Sequence, residues 1–379
     1  MTKSISFLNL PDASPGTHRA VTVHRYGRAG ARPKVYIQAG LHADEYPPML
    51  VAHHLMGLLD KADERDAIRG EIILIPTANP IGLGQFVNGR HSGRFDLDGS
   101  GNFNRNWPHF GLMIADQLAP QLGQDAHANV AVIRSALLGA AIGLKPKNEA
   151  EALKFSLIRL SIDADIVLDM HCDSEALLHM YTAPAAWPGL AELGAELGVE
   201  TVLLAEISGG DPFDEAHTTP WLTLAQQFPD KPIPQACLST TLEFRGRGDV
   251  SDPLALADAE KILHFLMRRG IVVGTPGRLP DPKIEATDLA AMDTISAPLT
   301  GLVVYKVALG DRVTAGDVVA EIVDPAIPDS VKARTPVTTR ATGLVFTRNA
   351  ERYLRMGDTI VHVAGKIPLP RRSASLLDA

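Results

Sequence analysis

Five short runs of β-branched and aliphatic residues constrain this chain most. They are Val35–Ala39 (VYIQA), Ile72–Thr77 (IILIPT), Ile166–Met170 (IVLDM), Thr201–Ala205 (TVLLA) and Cys237–Phe244 (CLSTTLEF). Most are near-continuously apolar rather than alternating, as expected of strands covered on both faces. Between them, Met49–Leu59, Ile133–Ile142, Ala150–Leu160 and Leu254–Met267 place apolar residues at helical spacing, and Gly270 supplies a stop signal after the last. Strands alternating with helices predict an α/β fold with a mixed, mostly parallel sheet flanked by helices.

The pattern changes near residue 271. The stretch Val273–Asp293 is punctuated by Gly, Pro and Asp, as in a linker. An internal near-repeat follows. One copy runs from Gly301-Leu302-Val303 to Gly316-Asp317-Val318-Val319, the other from Gly343-Leu344-Val345 to Gly357-Asp358-Thr359-Ile360. Short strands with Gly-Asp turns predict a small all-β module of two similar halves. It resembles the biotinyl/lipoyl barrel-sandwich domain. Carrier versions present a lysine on the hairpin between the halves, here near Val323-Asp324-Pro325, where there is none; Lys332 lies nearby in no recognisable attachment context. The module therefore reads as structural or substrate-gating. The chain of 379 residues divides into a catalytic domain over 1–290, a β domain over 291–366 and a loose tail over 367–379, in keeping with roughly 100–200 residues per domain.

Composition removes several function classes. Only Cys172 and Cys237 are present, too few for a disulfide scaffold or a four-cysteine zinc site, and a reducing cytoplasm is expected. The N-terminus has no apolar signal core, and no apolar run approaches the roughly 18 residues that span a bilayer. A net charge of −8 and an aromatic content of 5% argue against nucleic acid and anionic membranes as partners.

The chemistry gathers just after the strands. Val35–Ala39 leads into Gly40-Leu41-His42-Ala43-Asp44-Glu45, Ile166–Met170 runs into His171, and the run ending at Phe244 carries Glu243. Ligands of open α/β sheets bind outside the carboxyl ends of strands. His42 and Glu45, three apart at a strand-to-helix corner, aim the same way, and a distant His171 completes two histidines and one glutamate. Three protein ligands with an open fourth position describe catalytic zinc. Among 13 histidines a lone H-x-x-E is a weak signal, and its placement at a strand end is what strengthens it. The loop 88–108 adds Arg90, Arg94 and Arg105 with four asparagines. Arg105 beside Asn104 presents planar donors suited to a carboxylate, and a second arginine near a metal-bound carbonyl would stabilise an oxyanion.

Gly-Leu-His-Ala-Asp-Glu, Asn-Phe-Asn-Arg-Asn-Trp, Asp-Met-His and Leu-Glu-Phe occur in the order used by the zinc carboxypeptidase superfamily. Over roughly residues 35–270 the chain resembles its deacylase branch, the succinylglutamate desuccinylase/aspartoacylase family. The resemblance implies a carboxypeptidase-like fold and one Zn2+ per chain held by His42, Glu45 and His171. It implies a substrate carboxylate held by Asn104 and Arg105, an oxyanion held by Arg94 with Arg90 as its rival, and Glu243 as general base and then acid. Members commonly carry a C-terminal β domain. One position departs from the peptidases of the superfamily, which have an aspartate two residues before the Asn-Arg pair; here it is Asn102.

The expected activity is zinc-dependent hydrolysis of a small anionic amide such as an N-acyl amino acid. A carboxypeptidase acting on short peptides and a non-catalytic binding homologue are the alternatives. Glu206, which also ends an apolar run, rivals Glu243 as base. Cys172 next to His171 reads as a buried structural cysteine, Asp169, Asp173 and His179 as candidates to support the metal ligands, and Ser208–Phe213 as a lid. An exposed edge of the β module could mediate a homo-oligomer.

Overall fold

A computed structural model describes residues 2–282 and 286–370. The expected tail over 367–379 lies, from residue 371 onward, outside the described residues. The backbone of the fold is a nine-stranded sheet in the spatial order Ser4–Asn9, Ala20–Tyr26, Glu71–Ile75, Lys34–Ala39, Ile166–Asp173, Leu238–Gly246, His179–Thr182, Thr201–Leu204 and Ala286–Asp288. The four strands from Glu71–Ile75 to Leu238–Gly246 are mutually parallel, and antiparallel pairings flank them. The N-terminal hairpin and the strand His179–Thr182 were not legible as strands.

Alternation explains why the central strands read as continuous apolar runs. Val35, Ile37 and Ala39 join one core cluster with Ile72, Leu74, Ile166, Leu168 and Met170. Tyr36, Ile73, Ile75 and Val167 point the other way into a second cluster. Helices Pro47–Glu64, Trp187–Leu197 and Asp252–Arg268 cover the first face through Leu55, Leu193 and Phe265. Helices Phe110–Leu118, Ala126–Gly143, Glu149–Ser161 and Glu215–Gln227 cover the second through Ile114, Ile133, Leu157 and Trp221. Both sheet faces are therefore buried, as a parallel sheet requires. Helix Ala126–Gly143 has the length and apolarity to cross a membrane. Here it lies against the second core, with Asp125 capping its start and Arg134 paired to Asp165 at 2.5 Å.

Register aligns the carboxyl ends. Val35 and Leu238 both pair with Ile166, and Glu243 pairs directly with His171. The strand Ile166–Asp173 continues beyond Met170, so His171 sits within it rather than after it.

After Ala286–Asp288, which still belongs to the large sheet, the chain forms two smaller sheets. Strands Gly301–Tyr305 and Val318–Val323 fall on the first repeat, Gly343–Arg348 and Thr359–Gly365 on the second. Both Gly-Asp turns have the same build. Gly316 and Gly357 take φ of 98° and 95°, and Asp317 and Asp358 each accept a backbone N–H three residues back at 2.7 Å. This β unit joins the large one through the two-residue strand Glu175–Ala176, which pairs with Gly343–Arg348 just beyond His171. Glu175 also receives Arg348 at 2.9 Å and Arg352 at 2.6 Å, both guanidinium groups lying over the Tyr305 ring.

At Gly343 a methyl group would lie 1.9 Å from the carbonyl oxygen of Ala364 on the neighbouring strand. Gly343→Ala is expected to part these strands and lower unfolding stability by about 1–3 kcal/mol, read as a lower midpoint in thermal or urea unfolding.

Candidate metal centre and active site

At the carboxyl ends of the parallel strands the chain lines a cavity of about 670 Å3. The turn after Lys34–Ala39 places His42 and Glu45 at its base, closed by a Glu45 N–H to His42 carbonyl bond of 3.2 Å. His171 arrives from the adjacent strand. Glu45, only 2% exposed, spans the two imidazoles. One oxygen lies 2.9 Å from His42 Nδ1, the other 2.8 Å from His171 Nδ1.

The far ring nitrogens fix the tautomers. His42 Nε2 donates to Asn102 Oδ1 at 2.8 Å, an oxygen that also accepts the Asn104 N–H. His171 Nε2 donates to Asp169 Oδ2 at 2.9 Å. Asp169 is held in turn by Gln38 Nε2 at 2.9 Å, and Gln38 by the Tyr36 hydroxyl at 2.7 Å. With each Nε2 donating outward, a neutral ring turns its Nδ1 lone pair inward, against a carboxylate that can only accept. Acceptors facing acceptors in a buried pocket call for a cation. Ligand atoms of His42, Glu45 and His171 all lie within 4.8 Å of one another, and two imidazoles with a carboxylate are a zinc donor set. The residues therefore fit the ion.

Charge follows the same geometry. Burial and the nearby Arg94 lower the His42 pKa to about 4. Burial also opposes the charged form of His171, but Asp169 and Glu45 outweigh it and hold its pKa well above the ordinary value. For Glu45 burial works upward and the two imidazoles prevail, leaving it well below the usual carboxylate range. Glu243 is pushed well above it, by burial first and then by the charge of Glu45. Its Oε2 is buried without a hydrogen-bond partner among the described residues.

The loop 88–108 is pinned by its aromatic residues. Phe103 and Trp107 are buried in the second core, the Phe103 N–H bonds the Arg94 carbonyl, and Asn106 and Trp107 bond the carbonyls of Gly210 and Asp211. Gly93 lets the loop touch the His42–Glu45 turn: a Cβ there would sit 2.4 Å from the Asp44 nitrogen. This brings Arg94 Nη1 to 3.2 Å from both His42 Nδ1 and Glu45. Asn104 is buried, with its Oδ1 accepting the Phe213 N–H at 2.8 Å, and Arg105 packs its stem on Gly210. Both line the cavity.

Residues 31–131 match the succinylglutamate desuccinylase/aspartoacylase catalytic domain. An N-alpha-acetyl-L-2,4-diaminobutyric acid deacetylase of Halomonas elongata is 24% identical over 351 residues, covering 89% of this chain and 83% of that protein. A crystal structure of a succinylglutamate desuccinylase/aspartoacylase family protein from Shewanella amazonensis superposes with a TM-score of 0.82 at 25% identity, over 95% of this chain and 98% of that one. Over its catalytic region the chain is similar to the succinylglutamate desuccinylase/aspartoacylase family. The product-bound ectoine utilization protein EutE (DoeB) of Ruegeria pomeroyi shares the fold, with a TM-score of 0.68 at 18% identity over 96% and 95% of the two chains.

Not every candidate from the sequence reaches the cavity. Arg90 is exposed on the two-residue strand Arg90–His91 and does not line it, whereas Arg94 does. Glu206 is exposed and also lies outside the lining, while Glu243 lies inside. Arg245 turns away to Asp258, but Arg247 lines the cavity and pairs with Asp44 at 3.0 Å. Cys172 is buried, its N–H donating to Glu45 at 3.2 Å, and burial raises its thiol far above the ordinary range. Of the supporting candidates Asp169 holds His171, while His179 Nδ1 is bonded to the Leu177 carbonyl.

Other residues went unnoticed. Asp214 and Glu215 enter the cavity from the start of a helix, and Thr347 and His362 from the β unit. Lys154 on helix Glu149–Ser161 is buried, and its ammonium donates to the Arg105 carbonyl at 2.7 Å and the Asn102 carbonyl at 3.5 Å, 5.8 Å from the Trp107 ring centre. It braces the segment bearing both Asn102 and Arg105. A lysine flanked by Leu153 and Phe155 was the available signal.

Burial lowers the Lys154 pKa from 10.5 to about 8. Lys154→Met is expected to lose about 1.5–3 kcal/mol at neutral pH, the range for a lost charged hydrogen bond. The folded lysine sheds its proton at lower pH than the unfolded one. Wild-type stability relative to the variant should therefore rise as pH goes from about 8 to 10.5. Urea unfolding at several pH values reads both effects.

Proposed function

We propose that this chain is a zinc-dependent deacylase that hydrolyses the amide bond of a small N-acyl amino acid. The observation that carries the reading is the in-register pairing of Glu243 with His171, which sets a carboxyl whose Oε2 has no partner among the described residues beside the three-residue donor set. The deacetylase from Halomonas elongata supports the reaction class.

His42, Glu45 and His171 would hold the ion. When bound, zinc supplies Lewis acidity, polarising the scissile carbonyl and acidifying the attacking water. Glu243 takes the proton of that water. Its raised proton affinity, set by burial and by Glu45, then suits it to deliver the proton to the leaving amine. Arg94 holds the oxygen that gains negative charge as the carbonyl carbon becomes tetrahedral. Arg105, with Asn104 beside it, holds the substrate carboxylate. The bond broken is the amide C–N, and the products are a carboxylic acid and a free amino acid.

The cavity wall contributed by Thr294, Thr347, Arg348, Asn349, Ile360 and His362 of the β unit supports a small substrate over a peptide chain. Release of amine from N-acyl amino acids should therefore exceed release from dipeptides.

Protein purified without chelator or added metal is expected to carry about one zinc per chain by elemental analysis, and His171→Ala little. Glu243→Gln is expected to keep the zinc and lose about 10²–10⁴-fold in kcat, the range for a general acid–base group. Full turnover in Glu243→Gln would overturn the role assigned to it.

A further inference from the structure

One hydroxyl at the cavity has no part in the hydrolysis as derived above. It belongs to Tyr181, and strand register puts it there. A row of residues crosses the sheet from Gln38 through Asp169 and Thr241 to Tyr181 and Leu203, each opposite the next. The row two residues further toward the carboxyl ends of the parallel strands holds His171 and Glu243. Opposite residues share a face, and so do residues two apart on a strand. Tyr181 therefore stands on the face that bears His171 and Glu243. It is the diagonal neighbour of Glu243, at about 7–8 Å and within reach of an aromatic side chain. Thr241, Tyr181 and Leu203 all line the cavity.

The ring is fixed from the side of the β unit. It packs on the cluster that holds Leu203, Leu289, Met292 and Phe346. His179 meets it edge-on at 5.5 Å, and Phe346 meets His179 edge-on at 5.0 Å. The hydroxyl is not fixed. The Tyr181 carbonyl accepts from the Thr240 hydroxyl at 2.8 Å, but the phenolic oxygen makes no hydrogen bond among the described residues. Burial, then the charges of Glu243 and Asp173, raise the phenol well above its ordinary pKa against the opposing influence of Arg105 and Arg94. The group keeps its hydrogen and stands among the charges that surround the reaction as a neutral donor.

A bound N-acyl amino acid brings two strong acceptors. The scissile carbonyl is answered by the metal and Arg94, the carboxylate by Arg105. Arg105 turns one hydrogen of Nη1 to the Asn104 carbonyl at 2.8 Å, whereas a carboxylate has about four acceptor positions to fill. We propose that Tyr181 is a further substrate-binding residue, donating its phenolic hydrogen to the carboxylate that Arg105 holds, with the β unit setting the ring. This rests on the deacylase reading above.

The test uses the zinc-loaded full chain and two arms. In the first, a panel of N-acetyl amino acids is screened for turnover, each beside its α-carboxamide, which keeps the size and lacks the charge. Tyr181→Phe is expected to lower kcat/KM for the acids about 10–100-fold, mainly through KM, the worth of one charged hydrogen bond. The carboxamides should change little, and so should the thermal unfolding midpoint. In the second arm, calorimetry on Glu243→Gln protein compares binding of the same pairs with and without Tyr181→Phe. A loss equal for acid and carboxamide is what a merely structural role gives, and it overturns the proposal, as does no loss for the acid. If no N-acetyl amino acid is hydrolysed, the deacylase reading fails and the binding arm decides: a preference for the acid that Tyr181→Phe removes supports the role of Tyr181, and no such preference overturns it.

Discussion

The site depends on one buried carboxylate. Glu45 is sequestered from water with one oxygen toward each imidazole, and a charge so placed costs several kcal/mol unless its surroundings answer it. Two donors answer it in part. Arg94 donates to one oxygen and the Cys172 N–H to the other, while both rings turn their Nδ1 lone pairs inward and leave the rest of the charge to a cation. The rings hold that pose because their far nitrogens are tied to Asn102 and Asp169, and Asp169 is tied through Gln38 to Tyr36 in the middle of the sheet. A polar chain thus runs from the core to the donor set along one face of two adjacent strands, anchoring an arrangement that a surface loop would leave loose.

The second unit bears on the same place. Its strand Gly343–Arg348 hydrogen-bonds to the segment that follows His171, and Glu175 gathers two arginines stacked over Tyr305. The loop after the strand bearing His171 is therefore held by the β unit on the far side of the cavity. One interface therefore sets both a wall of the cavity and the position of the segment after the histidine strand.

What was legible in the sequence follows from these physics. Strands buried on both faces leave continuous apolar runs, so the central sheet and the polar residues at its ends could be read directly, and His42, Glu45, His171 and Glu243 do converge. The outer strands were not readable, because Ser4–Asn9 is exposed along its length and Ala286–Asp288 is short and polar. Arg90 and Arg94 were indistinguishable as residues in a glycine-rich loop. What separates them is the close approach of Gly93 to the Asp44 backbone, a contact between segments about fifty positions apart. Asp214 gave no signal at all, since an aspartate before a helix reads as a cap.

The support for the two histidines is unequal, and the inequality sits where this chain departs from the peptidase pattern. Asp169 backs His171 with a full charge, whereas Asn102 backs His42 with an amide oxygen already shared with the Asn104 N–H. A carboxylate makes the opposite ring nitrogen a stronger donor to a metal than an amide does. Asn102 lies behind His42, outside the cavity lining, with its carbonyl toward the Lys154 ammonium. The neutral amide still accepts the hydrogen bond that orients the His42 ring. The donor set keeps its geometry on both sides, with less charge behind His42 than behind His171.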